Sequence, residues 1–137
     1  MVKVLQDIWV LDRNSGVVLF HRVFDEELDV QLFGGLMSAL NSFAEILSKE
    51  GLTSFELSQK RFGILKRKNF LFIGNCSKKV KEKKIIEELE IISEKFFEIY
   101  ADILDSWQGD ITMFQSFEKE IEDSLEGTIE KFKKAFW

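Results

Sequence analysis

His21 is the only histidine in the chain and Cys76 the only cysteine. No His–Cys or multi-histidine metal site can be assembled from such a set. A single cysteine also rules out an internal disulfide, which fits a reducing cytoplasm. His21 falls in the middle of a strand-like run, where a lone histidine is read as structural or simply exposed. Carboxylates are plentiful, but Glu82, Glu87, Glu88, Glu90, Glu94 and Glu98 follow the polar face of a long helical pattern. That is a solvated face with i, i+4 support rather than a pair placed for acid–base work. Gly34-Gly35 lies inside a helical pattern, not between a strand and a helix, and no G-x-x-x-x-G-K-[ST] run exists, so no phosphate loop is expected. The chain is therefore expected to be non-catalytic, with no cofactor and no metal.

Lysine and arginine are the residues left with a chemical bias. Ten of them lie between Lys60 and Lys84, where Glu82 is the only acid, so that stretch carries +9 and the remainder −14. Charge blocks bear on partners and solubility rather than on fold. Lys60, Arg61, Lys78, Lys79 and Lys81 are expected at one end of the sheet, as a possible contact for an anionic membrane or an acidic protein. Basic residues at a helix start oppose its dipole, a local cost that a binding role would explain. Nucleic acid is not expected. The chain is acidic overall, with net charge −5, and no exposed aromatic residues are interleaved with the lysines.

The elements that must position these residues can be read in order. Residues 2–11 and 17–24 are apolar on both faces and flank the turn Asp12-Arg13-Asn14-Ser15-Gly16, which makes an antiparallel hairpin. In the first strand Val4, Ile8 and Val10 share one face, and Leu5, Trp9 and Leu11 the other. In the second, Val17, Leu19 and Val23 oppose Val18, Phe20 and Phe24. Asp29–Lys49 has helical spacing, with Asp29 as N-cap and Gly51 as C′ residue. Thr53–Leu57 alternates and suits a sheet edge. Phe62–Lys66 and Phe70–Gly74 follow, the latter a fully buried run. From about Lys79 to Gly109 the period is 3.6, with Ile85, Leu89, Ile92, Phe96, Ile99, Ile103 and Trp107 inward and Ile86, Tyr100 and Leu104 widening the stripe. Thr112–Gln115 reads as a capping box opening a last helix through Phe136. No 18-residue apolar run marks a transmembrane helix, and no signal peptide is evident. The expectation is one α+β domain over residues 1–137, ordered β-β-α-β-β-β-α-α. Its five-stranded, mainly antiparallel sheet has strand order 2-1-5-4-3 and three covering helices.

The helix between the strand groups offers a contact surface. Phe33, Leu36, Met37, Leu40, Phe43, Ala44 and Leu47 are expected to face the sheet. That leaves Gln31, Gly34, Gly35, Ser38, Asn41 and Ser42 outward, small and uncharged, as a protein interface. Glycine inside a helix costs stability, so the Gly34-Gly35 pair needs a reason, either tight packing against the sheet or the last helix or contact with a second protein. The edge segment Thr53, Phe55 and Leu57 would add β-augmentation.

The segments IWVLDRNSGVVLFHRVF, LFGGLMSALNSFAEIL and FFEIYADILDSWQGDITMFQSF, with the order of elements, resemble the longin and roadblock superfamily over essentially the whole chain. Starting with a strand and ending with two helices, the chain is more similar to longin than to roadblock domains. The resemblance implies a non-catalytic cytoplasmic module of vesicle-trafficking and GTPase-regulating complexes, in places peripheral to a membrane. Such modules include stand-alone archaeal chains. It implies a homo- or heterodimer and a Ras-like small GTPase as a partner, with membrane contact through the basic patch as the alternative.

Overall fold

The computed structural model describes residues 5–22, 29–104 and 111–121. Its strands are β1 (Asp7–Asp12), β2 (Val18–Arg22), β3 (Ser54–Glu56), β4 (Lys60–Arg67) and β5 (Phe70–Ser77). They form one antiparallel sheet in the order β2-β1-β5-β4-β3, the order expected. The helices are α1 (Val30–Leu47), α2 (Glu82–Leu104) and a short α3 (Phe117–Glu120), with a 3-10 turn at Thr112–Phe114 before α3. The expected strand residues 2–4 and 23–24, the end of α2 to Gly109 and the last helix beyond Ile121 lie outside the described residues.

The sheet is buried on both faces, as its doubly apolar strands require. One face carries Trp9, Leu11, Val18, Phe62, Ile64, Leu71 and Ile73 under α1. The other carries Ile8, Val10, Phe20, Phe70 and Phe72 under α2, with Phe114, Phe117 and Ile121 closing the layer. Phe96 sits at the middle of that layer, ringed by Phe72, Tyr100, Phe114 and Phe117 at 5.1–5.6 Å between ring centres. α2 comes close at paired Gly63 and Gly74, where a Cβ would press on Ile85 and on Leu5 and Leu89.

Strict alternation fails in four places. The β1–β2 register shifts between Val10 and Leu11. That irregularity puts Leu19 and Phe20 together in the α2-side core, rather than on opposite faces. Leu5 precedes β1 and also joins that core instead of the Trp9 face. On α2, Tyr100 is buried within the expected stripe, but Ile99 and Ile103 are exposed. Thr112 lies in a 3-10 turn that ends at Phe114, so the helix expected to open there begins only at Phe117.

Candidate protein-interaction surface

α1 starts where expected. The Asp29 carboxylate accepts from Leu32 N at 3.0 Å, capping an otherwise unpaired donor. It stops at Leu47 with Ser48 as an extended C-cap. Gly51 is therefore not the C′ residue. It lies in the following turn at φ +70°.

The orientation of α1 is opposite to the expected one. Its buried residues are Gly34, Met37, Ser38 and Asn41. Part of the small uncharged face meets the sheet beside Met37, Val30 and Phe33, and its own contacts are polar. The Gln31 carboxamide accepts from Val18 N at 2.9 Å and donates to Val18 O at 3.2 Å. Ser38 Oγ donates to the Arg13 carbonyl. Asn41 Oδ1 accepts from Leu52 N at 3.3 Å, and Asn41 Nδ2 donates to Glu45 Oε1 at 2.6 Å. Glu45 also meets Lys66 at 3.2 Å and Arg13 at 3.8 Å. Lys66, then Asn41, hold the Glu45 carboxyl below the usual carboxylate range. Gly34 has a steric reason, because a Cβ there would collide with the Gly16 carbonyl and with Val18. Gly35 has none among the described residues, where a Cβ meets nothing within 4 Å.

Of the residues expected to face inward, only Met37 is buried, with Phe33 and Ala44 half-buried. Phe33 packs on Trp9 at 4.3 Å between ring centres. Leu36, Leu40, Phe43 and Leu47 point away from the sheet, joined by Leu32 and Ile46, which is 81% exposed. Within this outer face Leu32, Leu36, Ala39, Phe43 and Ile46 recur at intervals of four, three, four and three. That is the 3.5-residue spacing of a helix that packs along another helix. Gly34, Ser38 and Asn41 thus belong to the monomer's interior, whereas Gly35 and Ser42 remain exposed beside the apolar stripe. By length and composition alone α1 is apolar enough to cross a membrane. Its hydrogen bonds to β2, to the β1–β2 turn and to Leu52 place it on the sheet instead.

Periodicity found the helix but gave its two faces the wrong assignment. The absence of charge among Gln31, Ser38 and Asn41 is the signal that points inward rather than to a partner. A solvated helix face normally carries Lys and Glu. Short uncharged polar groups instead suit turns and loop backbone that need hydrogen bonds.

β3 is the border strand next to β4, as expected for Thr53–Leu57. Thr53 O accepts from Ile64 N, and Leu57 N donates to Lys60 O. By alternation Phe55 also bonds inward to Phe62, so the backbone groups of Ser54 and Glu56 face the open edge. Phe55 stacks on Phe62 at 4.4 Å, and Thr53 and Leu57 are exposed.

The basic residues do gather at one end of the sheet, where Lys60 pairs in register with Ser77. Most are engaged within the chain. Lys60 lies 3.6 Å from buried Asp7. Arg61 binds Glu56 at 2.8 Å and donates to the Val80 carbonyl at 2.9 Å. Lys78 reaches the same Glu56 at 3.6 Å. Arg61, then Lys78, hold the Glu56 carboxyl below the usual range. Lys79 and Lys81 are exposed.

His21 is exposed on β2 opposite Trp9. It lines a shallow cleft of about 270 Å³ with Leu19, Phe20, Ile111 and Gln115. Partial burial pushes its imidazole below its ordinary value. Among the described residues no cluster of three His, Cys, Asp or Glu side chains is arranged to hold a metal.

No protein-family model matches the chain, and no curated protein matches it in sequence. Solved structures do match in fold. A Roadblock/LC7 domain from Streptomyces avermitilis has 15% identity and a TM-score of 0.55, over 73% of this chain and 88% of that one. MglB of Myxococcus xanthus has 12% identity and a TM-score of 0.53, over 69% and 77%. The gliding protein MglB of Thermus thermophilus has 12% identity and a TM-score of 0.53, over 75% and 80%. With its 2-1-5-4-3 sheet and its helices, the chain has the roadblock and longin-like fold.

Proposed function

We propose that the chain is a protein-interaction module that pairs with a second copy through the outer face of α1 and the open edge of β3. The observation that carries this reading is the exposed apolar stripe Leu32, Leu36, Ala39, Phe43, Ile46. An uncovered stripe of this size on a single helix marks an interaction site.

A second copy is favoured over other occupants by the symmetry of the stripe. Turned antiparallel about Ala39, Leu32 meets Ile46 of the second copy, and Leu36 falls beside its Phe43, one residue out of register. The stripe is thus self-complementary, as a two-fold interface requires. Gly35, Ala39 and Ser42 are small and sit near the crossing point, where backbones approach most closely. Asn41 ties α1 to Leu52, just ahead of β3. One surface therefore runs from the helix to the border strand.

The fold and the resemblance to longin and roadblock domains support a regulatory role. On that reading the paired module is a platform for a Ras-like small GTPase, and its work is binding rather than catalysis. Light scattering tests the pairing. The wild-type chain is expected to be a dimer, and Leu36→Glu or Phe43→Glu a folded monomer. A wild-type chain that stays monomeric at its highest soluble concentration overturns it. Binding of Leu36→Glu to anionic vesicles as strong as wild type, lost when Lys79 and Lys81 become Glu, would favour the membrane alternative.

A further inference from the structure

The two borders of the sheet are treated differently. At β3 the backbone groups of Ser54 and Glu56 face outward, and among the described residues no strand lies beyond them in the sheet order. At the far border, β2, Val18 is already paired. Its N–H donates to Gln31 Oε1 at 2.9 Å, and its carbonyl accepts from Gln31 Nε2 at 3.2 Å. Asp12 N meanwhile bonds to the Val17 carbonyl, on the side facing β1. The next residue's groups therefore face away from β1, towards the border. A carboxamide carries one donor and one acceptor in a single plane, as a peptide group does. Gln31 thus occupies Val18 as the backbone of a neighbouring strand would.

The position is held firmly. Asp29 caps the first turn of α1. One turn on, Gly34 lies so close to the Gly16 carbonyl and to Val18 that no Cβ fits. The helix start is pinned against the beginning of β2, and the Gln31 side chain needs only to span from one to the other.

We propose that Gln31 is an edge plug, which keeps β2 from accepting an extended strand of a second copy. Open sheet edges invite such pairing, and proteins commonly blunt them. The usual devices are charges, proline or a covering loop. Here a helix side chain imitates the missing strand. The consequence is polarity: strand addition runs through β3 and stops at β2, so two copies close on each other rather than extending into a chain. The plug itself does not depend on the proposed α1–β3 dimer, because it concerns the opposite border.

The test uses Gln31→Leu, which keeps much of the shape and removes both hydrogen bonds. Gln31→Glu keeps the acceptor for Val18 N–H but sets an anion against the Val18 carbonyl. In the wild type the Val18 amide should be protected from hydrogen exchange, and in Gln31→Leu its protection should fall about tenfold or more. With His21→Cys on β2, a short bis-maleimide should cross-link Gln31→Leu chains and leave the wild-type pairing uncross-linked. Cys76 is buried and does not compete. The same comparison in a Phe43→Glu background separates the two readings. There the α1 face is blocked, and any new association must come from β2. If Gln31→Leu fails to fold by circular dichroism, Gln31→Glu carries the test, with Val18 protection and cross-linking as its readouts. A folded variant whose Val18 amide stays as protected as wild type overturns the proposal. So does one that loses protection without gaining β2 cross-links. A wild-type monomer that gains β2 cross-links on Gln31→Leu would sustain the plug while overturning the α1–β3 dimer.

Discussion

Adjacent glycines in α1 have opposite physical reasons for being there. At Gly34 a side chain has no room, since the Gly16 carbonyl and Val18 fill the space. Gly34→Ala must push α1 off the β1–β2 turn, and overpacking of this kind costs about 1–3 kcal/mol. At Gly35 a methyl group meets nothing among the described residues. Gly35→Ala should therefore stabilise the folded protomer by about 1 kcal/mol through helix propensity. If two copies cross near Ala39, the same methyl should weaken their pairing. Urea denaturation of Phe43→Glu monomers, with and without each change, separates the intrinsic terms from the association term. Glu45 makes a second residue-scale prediction. Its folded pKa is lowered by Lys66 and Asn41. The unfolded chain therefore takes up this proton at higher pH than the folded one, and stability falls as pH drops. The stabilisation is present above the ordinary carboxylate range near pH ~4.5 and is lost as pH falls through the lowered folded value. Glu45→Gln should flatten the acid limb of the stability–pH curve below about pH 5. A limb as steep as wild type would show that Glu45 does not anchor α1.

At the scale of elements, strands were easier to read than helix faces. Phe70–Gly74 announces a strand buried on both sides, and Thr53–Leu57 an edge, because burial and alternation leave direct marks on residue type. The central placement of β1 and β5 follows from their doubly apolar faces, which made the sheet order legible. α1 was legible as a helix and misleading in orientation. Its apolar stripe is the stronger pattern, yet hydrophobicity cannot distinguish a core from a partner surface. Hydrogen-bond demand decided the matter: the β1–β2 turn, the edge of β2 and Leu52 all needed partners, and Gln31, Ser38 and Asn41 supply them. Local spacing cannot reveal that demand, which arises only once distant segments meet. The edge strand yields a prediction of the same kind. Ser54 N–H faces outward, so Ser54→Pro should leave the protomer folded and remove a donor from strand pairing. Phe55→Pro deletes a donor that faces β4 and should unfold the β3–β4 ladder. Circular dichroism and dimer mass, measured on both variants, read out the difference. A Ser54→Pro dimer as tight as wild type would take β3 out of the interface.

For the molecule as a whole, an inverted amphipathic helix makes stability depend on company. The protomer holds α1 by hydrogen bonds, ion pairs, close backbone contact and the apolar packing of Val30, Phe33 and Met37, while leaving Leu32, Leu36, Leu40, Phe43, Ile46 and Leu47 in water. Covering a large apolar side chain fully is worth about 1.5–3 kcal/mol. In a two-fold pair each truncation counts twice, so Phe43→Ala should weaken association by about 100-fold or more. Association that stabilises only the folded state also raises the melting temperature with concentration. For a two-state dimer of this chain length, each tenfold rise in concentration should add about 2–4 °C. Phe43→Glu should melt at one temperature at every concentration, because its folded state has no partner to lose. The Lys79 and Lys81 corner should leave this slope unchanged, since it lies at the α2 start and not on α1. A melting temperature independent of concentration in the wild type, with α1 amides exchanging no more slowly than those of Phe43→Glu, would mean that the outer face of α1 is not covered by a second copy.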